Sequence, residues 1–590
     1  MKEGDFSPFK GGRKMVILEQ YIQLWIKYMN NERTDKKLEI SIQNISETLF
    51  CTTRNSKFII KKLEELEWIC WKPGRGRGNR SNIVFLKHPD IIILEMGKEI
   101  TKKGDINGGR TFVKQYNSYF PYLSHQFDSW IDTLFGHQVE VTKQGRQDIL
   151  RLQTNIKCIS NFDPTLVSLR SECHIAKHIY DTLVYFNIYT GVIEPRLAFH
   201  WEYDDKRIVW TFYLRKGVTF HNGTIFTAKD VMYTFERFLN KRDNPYIWML
   251  EHIKEIRELN EYTVEIHLHK ENVLFLQILS TEQCSIIKKD NRQNLIGTGP
   301  FIIQTHNEKK LILEAHHSYF RERPFLDCIE FWKEAEQKEE YDISSAAQYR
   351  NEQHYQNLSE VERNVTYVTL NVNKVSPMQD KTFRKALHQI IHTNKLIEDL
   401  AGNRDEIANE FLLGKKYKAK KEDIHELIKN SVYNGETLLL YTFMDKDHVE
   451  DGGWIQQECK KYGISIELHF LDAKELLQEK TIQEADIIHD SATISEQTEI
   501  SFLFLFLAKN SFIHQHSSIL FQEQLSSFFT VQSREKRLTI LGGIESKLLE
   551  HIHVIPLYRN KQEVITHEKV QNAVINSQGW IDFYNIWFKS

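Results

Sequence analysis

Residues 68–86 read WICWKPGRGRGNRSNIVFL. Apolar runs at 68–71 and 81–86 flank a turn in which glycines alternate with Arg75 and Arg77, and Arg80 follows. This pattern predicts a β-hairpin, because aromatic and β-branched residues favour strands while Pro and Gly favour the turn between them. A cationic hairpin tip suits a phosphate backbone. Glycine permits close approach of the main chain, and arginine supplies bidentate hydrogen bonds.

Upstream of the hairpin, ILEQYIQLWIKYMN (17–30) places Ile17, Tyr21, Leu24, Trp25 and Tyr28 at helical spacing. A second helix fits 40–49 and a third fits 51–69, with Ile60, Leu63 and Leu66 directed inward. Thr53, Arg54, Asn55, Lys57 and Lys61 fall largely on the other faces of that third helix. Helix, helix–turn–helix and basic hairpin together predict a winged helix-turn-helix of α+β type. Its third helix carries the residue types that read base edges in a major groove, arginine on guanine and asparagine on adenine. Thr53, Arg54, Asn55, Lys57, Lys61, Lys72, Arg75, Arg77 and Arg80 are therefore the candidate DNA-binding residues, with promoter double-stranded DNA as the expected partner.

The distribution of charge agrees. Residues 1–88 carry 17 Lys and Arg against 10 Asp and Glu, whereas the remainder carries 60 against 70. A basic head on an acidic body expects a polyanion at the head alone. At 590 residues the chain is too long for a single core. Hydrophobic residues make up 41% and charged residues 27%, as in soluble globular proteins. Seven scattered cysteines with no CxxC pair predict free buried thiols and a reducing, cytoplasmic setting. The longest apolar run, SFLFLFLA at 501–508, is far shorter than the roughly 20 residues of a membrane span. No membrane insertion is expected.

From about residue 149 the pattern becomes mixed α/β. Asn222-Gly223 is a hairpin-turn pair, and Thr227 with Asp230 three residues later forms a capping box ahead of Val231, Phe235 and Phe238. DKTFRKALHQIIHTNKLI (380–397) reads as one amphipathic helix. WIQQECKKYGISIELHFL (454–471) reads as a helix ended by Gly463, then a strand. No HExxH, Walker loop, GxSxG elbow or Cys/His metal spacing occurs, so no enzyme activity, metal or cofactor is expected.

Two resemblances follow from these segments. CTTRNSKFIIKKLEELEWICWKPGRGRGNRSNIVFL (51–86) resembles the DNA-binding domain of the SgrR-type transcriptional regulators, over roughly 15–115. The body resembles the family 5 solute-binding proteins of oligopeptide and nickel type. The residues that carry this likeness are the 195–238 stretch, GTGPF (297–301), YVTLNVN (367–373) and IPLYRN…GWIDFYNIW (555–587). YFRERPFLDCIEFW (319–332) and EADIIHD (484–490) look most like the SgrR-type regulators.

The resemblance implies a two-lobed α/β body of the periplasmic-binding-protein type (type II, family 5) that closes on a solute, the chain crossing between lobes more than once. The expected domains are a winged helix-turn-helix at 1–115 with its wing at 71–86, a connector at 116–148, and the solute-binding body at 149–590. Peptide-binding relatives carry a Gly-Trp/Asp-rich segment whose aspartate holds the peptide's amino terminus. Here that region reads DIIHDSATISEQTEISF (486–502), where Asp490 and Glu496 stand as substitutes outside the usual motif. The ligand expected is thus a sugar-phosphate-related metabolite or a peptide. Asn371 near a strand end either faces the crevice or stabilises a turn, and Trp580 either lines the cleft or packs between lobes. The expected function is a ligand-responsive transcriptional regulator, with a monomer compatible with the sequence. The alternative is the substrate-binding protein of a peptide-type ABC transporter.

Overall fold

The computed structural model describes residues 9–29, 36–74, 81–142, 145–154, 162–289, 295–333, 355–361, 363–411, 422–567, 570–574 and 581–589. The chain divides into two compact units, Met1–Leu134 and Phe135–Ser590.

The first unit runs α1 (Phe9–Met29), β1 (Lys37–Glu39), α2 (Ile42–Thr48), α3 (Thr53–Glu65), β2 (Ile69–Lys72) and β3 (Asn82–Phe85). The strands form one antiparallel sheet in the order β1-β3-β2. This is a winged helix, and aromatic packing sets its geometry. Tyr21, Trp25, Trp68 and Phe85 are buried, with the Tyr21 and Trp68 rings 5.3 Å apart and those of Trp25 and Phe85 5.4 Å apart. The Tyr21 hydroxyl donates to the Lys87 carbonyl at 2.6 Å, pinning the hairpin's exit to α1. The inward face of α1 is set by Leu18 and Ile22 as well as Tyr21, Leu24 and Trp25, while Ile17 and Tyr28 are only half-buried. Tyr28 instead bonds the Thr48 hydroxyl at 2.7 Å, tying α1 to the end of α2.

Three more helices complete this unit: α4 (Pro89–Lys102), α5 (Ile106–Lys114) and α6 (Leu123–Asp132). Glycine makes their packing possible. A Cβ on Gly109 would sit 2.1 Å from the Thr101 hydroxyl, and one on Gly97 2.7 Å from a Val113 methyl. The 116–148 stretch read as a connector is thus divided. Its first part forms α6 within the head unit, and the rest enters the first sheet of the body.

The body holds two lobes. The first contains a five-stranded sheet ordered Phe301–His306, Lys310–Ala315, Cys328–Lys333, Gly145–Thr154, Gly136–Thr142, in which the third and fourth strands are parallel. It also contains an antiparallel four-stranded sheet between 198 and 268. The second lobe is built on a seven-stranded mixed sheet. Asn364–Leu370 lies between Val554–His567 and Ile487–Thr493, with Leu438–Phe443 and Ile466–Leu471 parallel beyond them. Tyr355–Val361 pairs with the far end of Val554–His567 as the chain enters and leaves this lobe. Ile581, Phe583 and Ile586 then pack back into the first lobe beside Leu150, Ile175 and Phe331. The chain therefore crosses twice, as the family resemblance implied.

Local expectations in the body mostly hold. Gly223 takes φ +79° in the Asn-Gly turn, and the Asp230 carboxylate accepts from the Thr227 N–H at 2.8 Å. Gly463 at φ +76° ends Lys446–Lys461 ahead of Ile466–Leu471. The helix expected over 380–397 is two helices, Lys381–Ile390 and Thr393–Leu400. His392 breaks the run by capping the second one, its Nδ1 accepting from the Lys395 N–H at 3.4 Å. The GTGPF glycines have a packing role. A Cβ at Gly299 would lie 2.5 Å from the Ile179 carbonyl carbon, and the Gly299 N–H donates to that residue's oxygen at 2.9 Å.

Candidate nucleic-acid interface and solute cleft

In the head, the turn before α3 is closed by local bonds. The Thr52 hydroxyl caps α3 by accepting from the Asn55 N–H at 3.3 Å, and Ser46 donates to the Cys51 carbonyl. Ser56, Ile59, Ile60 and Leu63 are the buried residues of α3. Leu66 caps the helix and is half-buried. Thr53, Arg54, Asn55, Lys57 and Lys61 are all exposed, as is Lys72 at the end of β2. Lys61 has only a long pair with Glu65, at 4.0 Å. At the root of the wing the Gly74 N–H donates to the Ser81 hydroxyl at 3.1 Å, and the Trp71 N–H donates to Glu64 of α3 at 3.0 Å. The hairpin is therefore fixed in register against α3. Arg75, Arg77 and Arg80 lie outside the described residues.

In the body, the sheet brings together groups far apart in sequence. Tyr367 and Asp490 are register partners on adjacent strands, and the buried Tyr367 hydroxyl donates to the Asp490 carboxylate at 2.8 Å. Burial pushes the Asp490 carboxyl up to about 6, against the bonds from the Ser491 N–H and Tyr367 that favour its charged form. On the adjoining residue of that strand, the His489 ring lies 3.2 Å from Asp451, which is fully buried and also holds Arg404 at 2.8 Å and the Tyr558 hydroxyl. Burial opposes the Asp451 charge, but these partners outweigh it and keep the carboxyl below its usual range. His448 stacks edgewise on His489 with centroids 4.9 Å apart, and burial lowers its pKa to about 3. Both ring nitrogens of His448 are shielded from solvent and lack a hydrogen-bond partner among the described residues. Arg170, which opens helix Arg170–Ile179 in the first lobe, is near enough to act electrostatically on both Asp490 and His448.

The other sequence candidates sit elsewhere. Asn371 is buried and spends its amide on a turn, donating to the Gln483 and Ala485 carbonyls and accepting from the Asn373 and Lys374 N–H groups. Glu496 is half-buried and lies 3.9 Å from Arg363. Trp580 lies outside the described residues. Tyr367, His448, Arg170 and the Asp451 cluster escaped the sequence reading, which had no means of pairing strands 123 residues apart. His316 turns to a backbone carbonyl, its Nδ1 3.1 Å from the Gly299 oxygen. Among the described residues no group of three or more His, Cys, Asp or Glu could hold a metal ion, and the six cysteines are free.

Fold and site together define a class: a winged-helix head in one chain with a two-lobed solute-binding body. Residues 16–126 match the family model described as sugar transport-related sRNA regulator N-term, and 192–512 match bacterial extracellular solute-binding proteins, family 5 middle. The chain belongs to the family 5 solute-binding proteins, in the form that carries an SgrR-type amino-terminal domain. It is 38% identical over 93% of its length to an uncharacterised Bacillus subtilis protein, YhjP, of which it covers 96%. It is 23% identical over 97% of its length to the HTH-type transcriptional regulator SgrR of Yersinia pestis, covering 98% of that protein. Among solved structures, the body is similar to the periplasmic binding protein DppA of Helicobacter pylori in complex with the peptide STSA. That match has a TM-score of 0.64 at 22% identity, over 75% of this chain and 98% of the other. The oligopeptide-binding protein AppA of Bacillus subtilis in complex with a nonapeptide matches with a TM-score of 0.63 at 16% identity, over 75% of this chain and all of the other. These structures share the two-lobed fold.

Proposed function

We propose that this protein is a cytoplasmic, DNA-binding transcriptional regulator whose two-lobed body senses a small solute. The observation that carries this reading is the α3 surface. Its cations and Asn55 are exposed on a winged helix that sits in the same chain as a solute-binding body. The full-length similarity to SgrR regulators supports the same combination. Binding of solute would favour one lobe arrangement and so alter presentation of the winged helix; a ligand with equal affinity for both arrangements would switch nothing.

The ligand side of the proposal centres on Asp490, His448 and Arg170, which combine a carboxylate, an unbonded neutral imidazole and a guanidinium. Such a set suits a hydroxylated anionic metabolite, of which a sugar phosphate is one, and equally the charged ends of a short peptide. The matched families are solute-binding and regulatory in kind, and no catalytic role, metal or cofactor is proposed. Gel-shift titration of promoter fragments tests the regulator reading, with wild type binding and Arg54→Ala/Lys57→Ala losing affinity. Absence of binding, or binding unchanged by removal of Arg75, Arg77 and Arg80, would defeat it. Unbiased metabolite capture, followed by remeasuring DNA affinity, tests the ligand side.

The competing reading, a substrate-binding protein for a peptide-type ABC transporter, draws on the fold shared with DppA and AppA. Cell fractionation separates the two, because recovery outside the cell membrane would favour transport.

A further inference from the structure

α3 carries one residue that neither the core nor its cationic surface explains. Phe58 is 55% exposed although it lies in the middle of a well-packed helix. The buried residues Ser56, Ile59, Ile60 and Leu63 fix the inward direction. At about 100° per residue, the stripe opposite that face runs through Arg54, Phe58, Lys61 and, at its carboxy-terminal end, Glu65, which is engaged by Lys61 and Lys62. A phenyl ring therefore stands between two cations on the part of α3 farthest from its own core. The Lys62 ammonium lies over the ring, 5.9 Å from its centroid, and also pairs with Glu65 at 2.5 Å, yet more than half of Phe58 stays exposed.

An apolar side chain in such company has a natural counterpart in a major groove. The 5-methyl of thymine is the apolar group on a base edge there, and phenylalanine is among the side chains that contact it. The flanking Arg54 and Lys61 fit guanine edges or phosphates and not an apolar protein surface, which favours DNA over a protein partner. We infer that Phe58 is a specificity-determining residue that reads a thymine methyl in the bound DNA. This rests on the DNA-binding reading above and adds a base preference that the cations alone would not give.

The test begins with selection of duplexes from a random pool by the full-length protein. Each thymine of the selected site is then replaced in turn by deoxyuridine, which removes only the methyl group. One replacement should weaken wild-type binding about fourfold, the worth of one buried methyl-sized group at about 0.8 kcal/mol. Phe58→Ala should bind the thymine and uracil duplexes equally, and Phe58→Leu should keep part of the discrimination; thermal melting verifies that both variants are folded. Uracil replacements that never matter, or a Phe58→Ala protein that still discriminates, would overturn the inference while leaving DNA binding intact, and would assign the ring to contact with a protein. Failure to enrich any duplex would overturn the inference together with the DNA-binding reading.

Discussion

Arg404 in the body and Arg54 in the head put the same side chain to opposite uses. In the body, Arg404 is buried and bonds Asp451 at 2.8 Å and Glu450 at 3.1 Å, and Arg196 is held by Asp181 at 2.7 Å. Asp181 also accepts from the hydroxyls of Thr298 and Tyr319, so a single carboxylate joins the GTGPF segment to two others. In the head, Arg54 stands exposed on α3. The first arrangement trades charge for internal order, and the second keeps charge available for something outside the chain. Sequence composition shows only that the head is basic. Burial shows which cations are available to a partner.

The same substitution at the two places should break this contrast open. Arg404→Ala leaves Asp451 buried beside His489 and Tyr558 without its main counter-charge, and should destabilise the body by about 3–5 kcal/mol. Arg54→Ala should leave stability within about 0.5 kcal/mol, as for other surface changes, and reduce DNA affinity. Denaturant unfolding of both variants checks this, and equal losses of stability would erase the distinction. Gly299→Ala forces a Cβ toward the Ile179 main chain, where nothing can rotate away. It should cost about 2–3 kcal/mol of body stability with DNA affinity unchanged.

Asp490 sharpens the comparison through pH. Its carboxyl titrates near 6 in the folded protein, above the ordinary carboxylate value, so the folded state holds a proton that the unfolded chain gives up sooner. Its stabilising contribution is complete below about pH 4 and is lost as the pH rises through about 6. Asp490→Asn should remove that part of the pH dependence and raise stability at pH 7 by about 2 kcal/mol. A wild-type profile that is flat between pH 4 and 7, or a variant that retains the slope, would contradict this account of the site. The smallest effect is expected at Phe50, which holds φ +50° in the turn before α3 with its ring 94% exposed. A non-glycine residue there is strained, so Phe50→Gly should gain about 0.5 kcal/mol in the melting of the head.

The head was legible because its signals are local. Helical spacing placed Tyr21, Leu24, Trp25, Ile60 and Leu63 inside, and a glycine-rich turn between apolar runs marked β2 and β3. α4 and α5 were less so, because Gly97 and Gly109 lower helix propensity and are accommodated by tertiary contact with Val113, Phe127 and Thr101. In the body, turns and caps such as Gly463 and Thr227 could be read directly, and the two-lobed plan followed from family resemblance. The site could not be read in the same way. Asp490 was visible as an unusual acid, but its Tyr367 partner depends on strand register, and His448 and Arg170 arrive from two further segments. The interruption at His392 was hidden because the apolar spacing continues through Ile390 and Ile391.

The most direct measurement is the salt dependence of duplex binding by wild type and by Lys57→Ala/Lys61→Ala. If α3 lies against DNA, the logarithmic salt slope should fall by roughly 0.9 for each phosphate contact removed, with the variant as stable as wild type. A wild type with no measurable affinity for duplex DNA, or a slope that the double substitution leaves untouched, would contradict the assignment of this surface to nucleic acid.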